Sequence, residues 1–177
     1  MHPGLNRDQQ ALVNLAERLA NECLMPRAAE VDASSTHPKE NWNDIWRNGL
    51  LTIGVPKEYG GHELDMLTYI MVIEKLAGGC TNTGMTVHMH STVMRFIEAL
   101  GTAEQKSTFY PEIVDDGKLY GSWGSEPETR GGSAFRFTTI TADDNGYVIN
   151  GVKNFCTMSG GAHRYICLLY TSPSPRD

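Results

Sequence analysis

Tyr110-Pro111-Glu112-Ile113-Val114-Asp115-Asp116-Gly117-Lys118-Leu119-Tyr120-Gly121-Ser122-Trp123 is where the chain changes character. Before Gly117 the apolar residues recur at helical spacing; after it they alternate, and β-formers replace helix formers. Working backward, Thr102-Ala103-Glu104-Gln105 has the form of a capping box and opens a helix carrying Phe109, Ile113 and Val114. A long helix from about Asn82 to Leu100 precedes it, closed by Gly101. Met66, Tyr69, Ile70, Ile73, Leu76 and Ala77 form another stripe, closed by Gly78-Gly79. Glu40 to Asn48 predicts a short helix burying Trp42, Ile45 and Trp46 and stopped by Gly49. Asn6-Arg7-Asp8-Gln9 is a second capping box, followed by the stripe Leu12, Leu15, Ala16, Leu19, Ala20 and Cys23, which Pro26 is expected to interrupt. Working forward, Leu119–Trp123 is strand-like, Phe135 to Thr141 alternates, Asp143-Asp144-Asn145-Gly146 is a turn, and Tyr147-Val148-Ile149 is a strand. Asn150-Gly151 is the strongest short hairpin signal, and a last apolar run spans Tyr165 to Leu169.

These pieces predict an α+β chain: an N-terminal α-helical domain over 1–117, then an antiparallel β-barrel domain over 118–169 that is expected to be truncated. Residues 170–177, polar and with two prolines, read as a tail foreign to that domain. The 177 residues are 40% hydrophobic and 20% charged, enough for a packed core. A net charge of -6 and the lack of a basic stripe exclude nucleic acid as a partner. Apolar runs are too short to span a bilayer and no secretory signal opens the chain. Cys23, Cys80, Cys156 and Cys167 form no C-x-x-C pair and read as reduced thiols packed as small hydrophobes, so a cytoplasmic location is expected. His88 and His90, two apart on a helix, cannot chelate a metal together, and no metal site is expected. None of the Gly-Gly pairs at 60, 78, 131 and 160 completes a nucleotide-binding fingerprint, and there is no nucleophile elbow.

An ordered set of passages resembles the acyl-CoA dehydrogenase family. Leu51-Thr52-Ile53-Gly54-Val55-Pro56-Lys57-Glu58-Tyr59-Gly60-Gly61 is similar to the family's passage ending P-x-x-Y-G-G. Leu100-Gly101-Thr102-Ala103-Glu104-Gln105-Lys106 resembles its G-T/S-x-E-Q-K helix start, and Tyr110 to Gly117 the Y-L-P-x-L-x-x-G that follows. Ser125-Glu126-Pro127 resembles the T-E-P flavin loop, and Val148 to Thr157 the I-N-G-x-K-x-W-I-T run. The likeness extends from about Leu5 to Leu169.

The resemblance implies FAD held between a helical, a β and a C-terminal helical domain and across subunits of a homo-oligomer. It implies removal of a proton from the α-carbon of an acyl-CoA and of a hydride from its β-carbon, with an electron-transfer partner or oxygen as acceptor. By position Ser122, Trp123, Gly124 and Ser125 would line the flavin edge, Ser125 standing for the usual Thr. Phe155 would stand where a Trp flanks the flavin, Cys156 beside it, and Thr157 would supply a hydroxyl. As plain residues, Ser122 and Ser125 also read as strand ends and Phe155 as core packing. Glu126 is the obvious carboxylate to suspect as a base, but the family's base belongs to its C-terminal domain, so no catalytic residue is expected here and Glu126 reads as structural. One departure concerns the substrate: where the family has E-P-x-A-G-S-D, this chain has Glu126-Pro127-Glu128-Thr129-Arg130-Gly131-Gly132-Ser133, with the Asp missing and Ser133, the acyl-CoA contact, displaced. A flavin monooxygenase branch of the same fold fits that change, with His88, His90 and Ser125 as its candidates. An inactive helical-plus-β piece is the third reading.

Overall fold

A computed structural model describes residues 4–127, 137–144 and 146–171, with the side chains of 170 and 171 left aside. The chain divides into two compact units, Met1–Leu119 and Tyr120–Asp177.

The first unit is helical: α1 Arg7–Leu19, α2 Met25–Ser34, α3 Lys39–Arg47, α4 Met66–Gly79, α5 Thr81–Leu100 and α6 Ala103–Val114. Both expected capping boxes close. The Asn6 side chain accepts from the Gln9 N–H at 2.9 Å while Gln9 accepts from the Asn6 N–H at 2.8 Å. Thr102 and Gln105 do the same at 3.2 and 2.9 Å. Each satisfies donors that a helix start leaves unpaired. Val13, Ala16 and Leu19 of α1 are buried, as are Val72 and Leu76 of α4 and Val87, Val93, Met94 and Ile97 of α5. Trp42 and Ile45 are buried in α3, whereas Trp46 is half-buried and donates its indole N–H to Val114 O at 2.9 Å.

One helix boundary differs from the sequence expectation. Pro26 does not break the first helix. A π-helical turn, Ala20–Leu24, joins α1 to α2, with the Met25 N–H bonded to Ala20 O five residues back. The wider turn delivers Pro26 to the first turn of α2, where a missing N–H and a fixed φ are tolerated. Gly78-Gly79 ends α4 as expected, and Cys80 after it has extended backbone. Gly79 is there for proximity: a Cβ on it would stand 2.7 Å from Ala20 O and 2.8 Å from Ala20 Cα.

Among its described residues the second unit has five short strands: β1 Tyr120–Trp123, β2 Thr139–Asp143, β3 Gly146–Asn150, β4 Arg164–Cys167 and β5 Tyr170–Thr171. They form a two-stranded sheet, β1-β4, and a three-stranded sheet, β3-β2-β5. The expected antiparallel barrel is corrected on two points. Among the described residues no barrel closes, and two of the three pairings are parallel: Tyr120↔Arg164 to Trp123↔Cys167, and Thr139↔Tyr170 with Ile140↔Thr171. Alternation marks a strand but not its direction. Among the described residues only β2 and β3, with Asp143 opposite Gly146, pair antiparallel. The other partners are separated by long crossovers, which parallel pairing requires. Asp143 and Gly146 are the last pair of the β2–β3 hairpin, and Asn150-Gly151 instead ends β3 and opens an irregular stretch. Tyr170 and Thr171, expected to lie in the tail, pair with β2. Phe137 and Thr138 precede β2 as irregular backbone, and Phe135 and Arg136 lie outside the described residues.

Candidate functional site

Two stretches of the strand unit meet: the end of β1 with the turn after it, 122–127, and the irregular stretch 151–158. The Asn154 N–H donates to Ser125 O at 3.0 Å, and the Leu168 N–H donates to Trp123 O at 2.9 Å. Gly121 makes the approach possible, since a Cβ there would stand 3.1 Å from the Tyr165 ring and 3.3 Å from Thr157 O. The Trp123 ring stacks on Tyr165, centroids 4.7 Å apart and planes 13° from parallel. Ser122, Trp123 and Gly124 are half-buried and Ser125 is exposed; Cys156 and Thr157 are half-buried.

Phe155 behaves differently from a packed aromatic. It is 87% exposed and its φ is 55°, a left-handed conformation that non-glycine residues adopt at a cost of about 1–3 kcal/mol. Its neighbour Met158, also left-handed with φ 66°, is buried and gathers the turn: Met158 O accepts from the N–H groups of Gly161 and Ala162 at 2.8 and 2.9 Å. The fixed turn holds the phenyl ring out from the unit's own core, so the core-packing reading of Phe155 fails. Burial pushes the Cys156 thiol up, opposed by a hydrogen bond from Trp123. Burial likewise pushes the Cys167 thiol up, opposed by the charge of Lys153. Neither is an activated nucleophile.

Beneath these residues lies a buried ion pair. The Glu126 side chain is 0% exposed and that of Lys153 is 8% exposed, and the Lys153 ammonium bonds directly to Glu126 Oε1. Glu126 also accepts from the Phe137 N–H at 2.5 Å and the Thr138 N–H at 3.0 Å. Lys153 donates further to Leu168 O at 2.5 Å. Burial alone would raise the Glu126 carboxyl. The Lys153 hydrogen bond and the two backbone N–H groups outweigh it and hold the carboxyl at about 2. A carboxylate so committed is no general base near neutrality. Lys153 was the residue that sequence reasoning passed over. Its signals were the Lys of the I-N-G-x-K-x-W-I-T run and its standing as a lone cation between Val152 and Asn154, in a stretch otherwise neutral from Asn145 to Ala162.

Ser133 lies outside the described residues. His88 and His90 belong to the helical unit and Ser125 to the strand unit. His88 Nδ1 is 2.6 Å from the Tyr69 hydroxyl, and the Arg95 guanidinium lies over the Tyr69 ring at 4.6 Å. Burial pushes the Tyr69 hydroxyl up, opposed by the Arg95 charge and a hydrogen bond with Ser91. Tyr69 and Arg95 border a cavity of about 250 Å³ with Leu64 and Glu98. Among the described residues no three His, Cys, Asp or Glu side chains gather to hold a metal, and no helix is long and apolar enough to cross a membrane.

Residues 6–116 match the family model for the acyl-CoA dehydrogenase N-terminal domain. The chain is similar to an acryloyl-CoA reductase (NADH) of Anaerotignum propionicum, 30% identical over 97% of this chain and 44% of that one. Its fold is similar to that of butyryl-CoA dehydrogenase from Megasphaera elsdenii, with a TM-score of 0.86 and 28% identity over 99% of this chain and 47% of that one. It is also similar to a dibenzothiophene monooxygenase of Paenibacillus sp. A11-2, at 27% identity and a TM-score of 0.76 over 94% and 41%; that enzyme has been solved with FMN bound. The chain thus spans less than half the length of each of these relatives.

Proposed function

The chain belongs to the acyl-CoA dehydrogenase family, and from that premise we propose that it supplies the N-terminal helices and one wall of the flavin site of an FAD-dependent oxidoreductase that desaturates an acyl-CoA thioester. The observation that carries the reading is the bond from Asn154 to Ser125 O, which joins the two stretches that the family resemblance assigns to the flavin edge. The donor set fits the group. Ser122, Ser125 and Thr157 offer hydroxyls without a net charge, suited to the carbonyl and nitrogen edge of an isoalloxazine, and Trp123 and Phe155 offer flat apolar surface. FAD, when bound, supplies the hydride acceptor. The chain's own part is to donate hydrogen bonds along the ring edge and to keep water from its face. Ser133 is proposed to meet the acyl-CoA. The proton of the α-carbon goes to a base that the resemblance assigns to a domain following these two, since Glu126 is already committed to Lys153. A homo-oligomer and an electron-transfer partner complete the proposal.

The direct test is anaerobic mixing of the whole FAD-loaded protein with an acyl-CoA series. Rapid loss of flavin absorbance with one chain length is expected. A flavin that stays oxidised with every thioester, but reacts with oxygen once reduced, would replace this reading by the second one, a flavin monooxygenase. The similarity to the dibenzothiophene monooxygenase favours that alternative.

A further inference from the structure

Glu126 and Lys153 stand in no family of roles described so far: they are not exposed to a ligand, and their charges are spent on each other. Their position is what matters. Glu126 directly follows Ser125. Lys153 immediately precedes Asn154, whose N–H bonds to Ser125 O. Lys153 also holds Leu168 O, and the Leu168 N–H holds Trp123 O. Glu126 in turn fixes the backbone just ahead of β2 through the Phe137 and Thr138 N–H groups. The pair thus ties together four pieces of chain distant in sequence: 123–126, 137–138, 153–154 and 168.

We infer that the Glu126–Lys153 ion pair is the positioning device that sets the register between the Ser122–Ser125 edge and the Phe155–Thr157 edge, and so the spacing of the donors offered to the flavin. This rests on the flavin reading above. The physical reason for using charge is geometric. Apolar side chains would fill the same space but would let the two edges slide. A carboxylate that also accepts two backbone N–H groups, facing an ammonium that also donates to a carbonyl, admits one arrangement. Left-handed Phe155 and Met158 sit just beyond Lys153, so a shift there would be transmitted along a stretch with little conformational slack.

The test uses the whole FAD-loaded protein and the variants Glu126→Gln, Lys153→Met and the double variant Glu126→Gln/Lys153→Met. FAD affinity, the visible flavin spectrum and hydrogen exchange at the Asn154 and Leu168 amides are read together. Each single variant should weaken FAD binding by about tenfold or more, alter the flavin spectrum and speed exchange at both amides. Exchange in the helical unit should stay unchanged. The double variant, which leaves no buried charge alone, should recover stability yet keep the altered spectrum, because packing returns but register does not. A double variant with wild-type spectrum and affinity would overturn the inference, as would single variants with unaltered exchange at Asn154 and Leu168. If the wild-type protein itself fails to bind FAD, the flavin reading falls; accelerated exchange at those two amides in the variants would then still show that the pair sets the register. If the single variants do not fold, the double variant, which leaves no buried charge alone, decides: faster exchange at the Asn154 and Leu168 amides than in wild type supports the inference, and wild-type protection at both overturns it.

Discussion

At the scale of single residues, Thr157 and Glu126 invite opposite experiments. Thr157 is half-buried beside Gly121 and carries a hydroxyl assigned to the flavin edge. Thr157→Val keeps its shape and removes a donor, which should weaken FAD binding by about 1–3 kcal/mol and shift the reduction potential. Unchanged affinity and potential, measured by titration and by dye equilibration, would remove Thr157 from the site. Glu126 concerns stability. Its folded carboxyl is held at about 2, below the ordinary carboxylate value. A lowered folded value means that the pair's stabilisation is fully present above the unfolded value of about 4.5 and drains away as pH falls toward about 2. Wild type should therefore exceed Glu126→Gln in stability near neutrality, with the gap shrinking through that window. Urea titrations followed at the Leu168 amide signal would check it; a gap independent of pH would contradict the ion pair.

At the scale of elements, Gly78 and Gly79 form a natural control. Both lie in α4, but a Cβ on Gly78 meets nothing within 4 Å, whereas one on Gly79 would stand 2.7 Å from Ala20 O. Gly78→Ala should stabilise by about 0.5–1 kcal/mol through helix propensity and a stiffer unfolded chain. Gly79→Ala should destabilise by about 1–3 kcal/mol, because α4 and the π-helical turn must part. Thermal melts of the two variants against wild type would show shifts of opposite sign. The same pair marks the limit of what a sequence discloses. Capping boxes and apolar stripes are local, so Asn6-to-Gln9, Thr102-to-Gln105 and the buried Ala16 and Leu19 of α1 were legible. The role of Gly79 depends on a residue far back in the chain, and was not. The strand unit was legible as strands but not in their direction, since alternation is the same for parallel and antiparallel pairs. In the candidate site, the donors Ser122, Ser125 and Thr157 stand out through family motifs. Glu126 and Lys153 also fall on those motifs, but their pairing was not legible, because each takes its meaning from the other, in another segment of the chain.

At the scale of the whole molecule, the strand unit presents apolar surface that its own residues leave uncovered. Tyr147, Ile149 and Val152 are 76%, 56% and 64% exposed, and Phe155 is more exposed still. Patches of this kind are covered in a functioning assembly or bind something. The 177-residue chain alone also offers no carboxylate free to act as base among its described strand residues near Ser125, since Glu126 is paired. Purified alone and mixed with FAD and an acyl-CoA series under anaerobic conditions, it should show no rapid bleaching of flavin absorbance and only weak flavin binding. Fast bleaching would place the base within these residues and make Glu126 the first to replace.

The π-helical turn at Ala20–Leu24 amounts to one residue slipped into a continuous helix. Removing a residue there would restore regular winding at a cost in phase: everything before it would rotate by about 100° about the axis. Val13, Ala16 and Leu19 would then leave the core, or the rod beyond Pro26 would swing away instead. The length of this segment is therefore under stronger constraint than its composition. In an alignment of relatives, a one-residue gap at this point should be matched by a displaced hydrophobic stripe on one side of it.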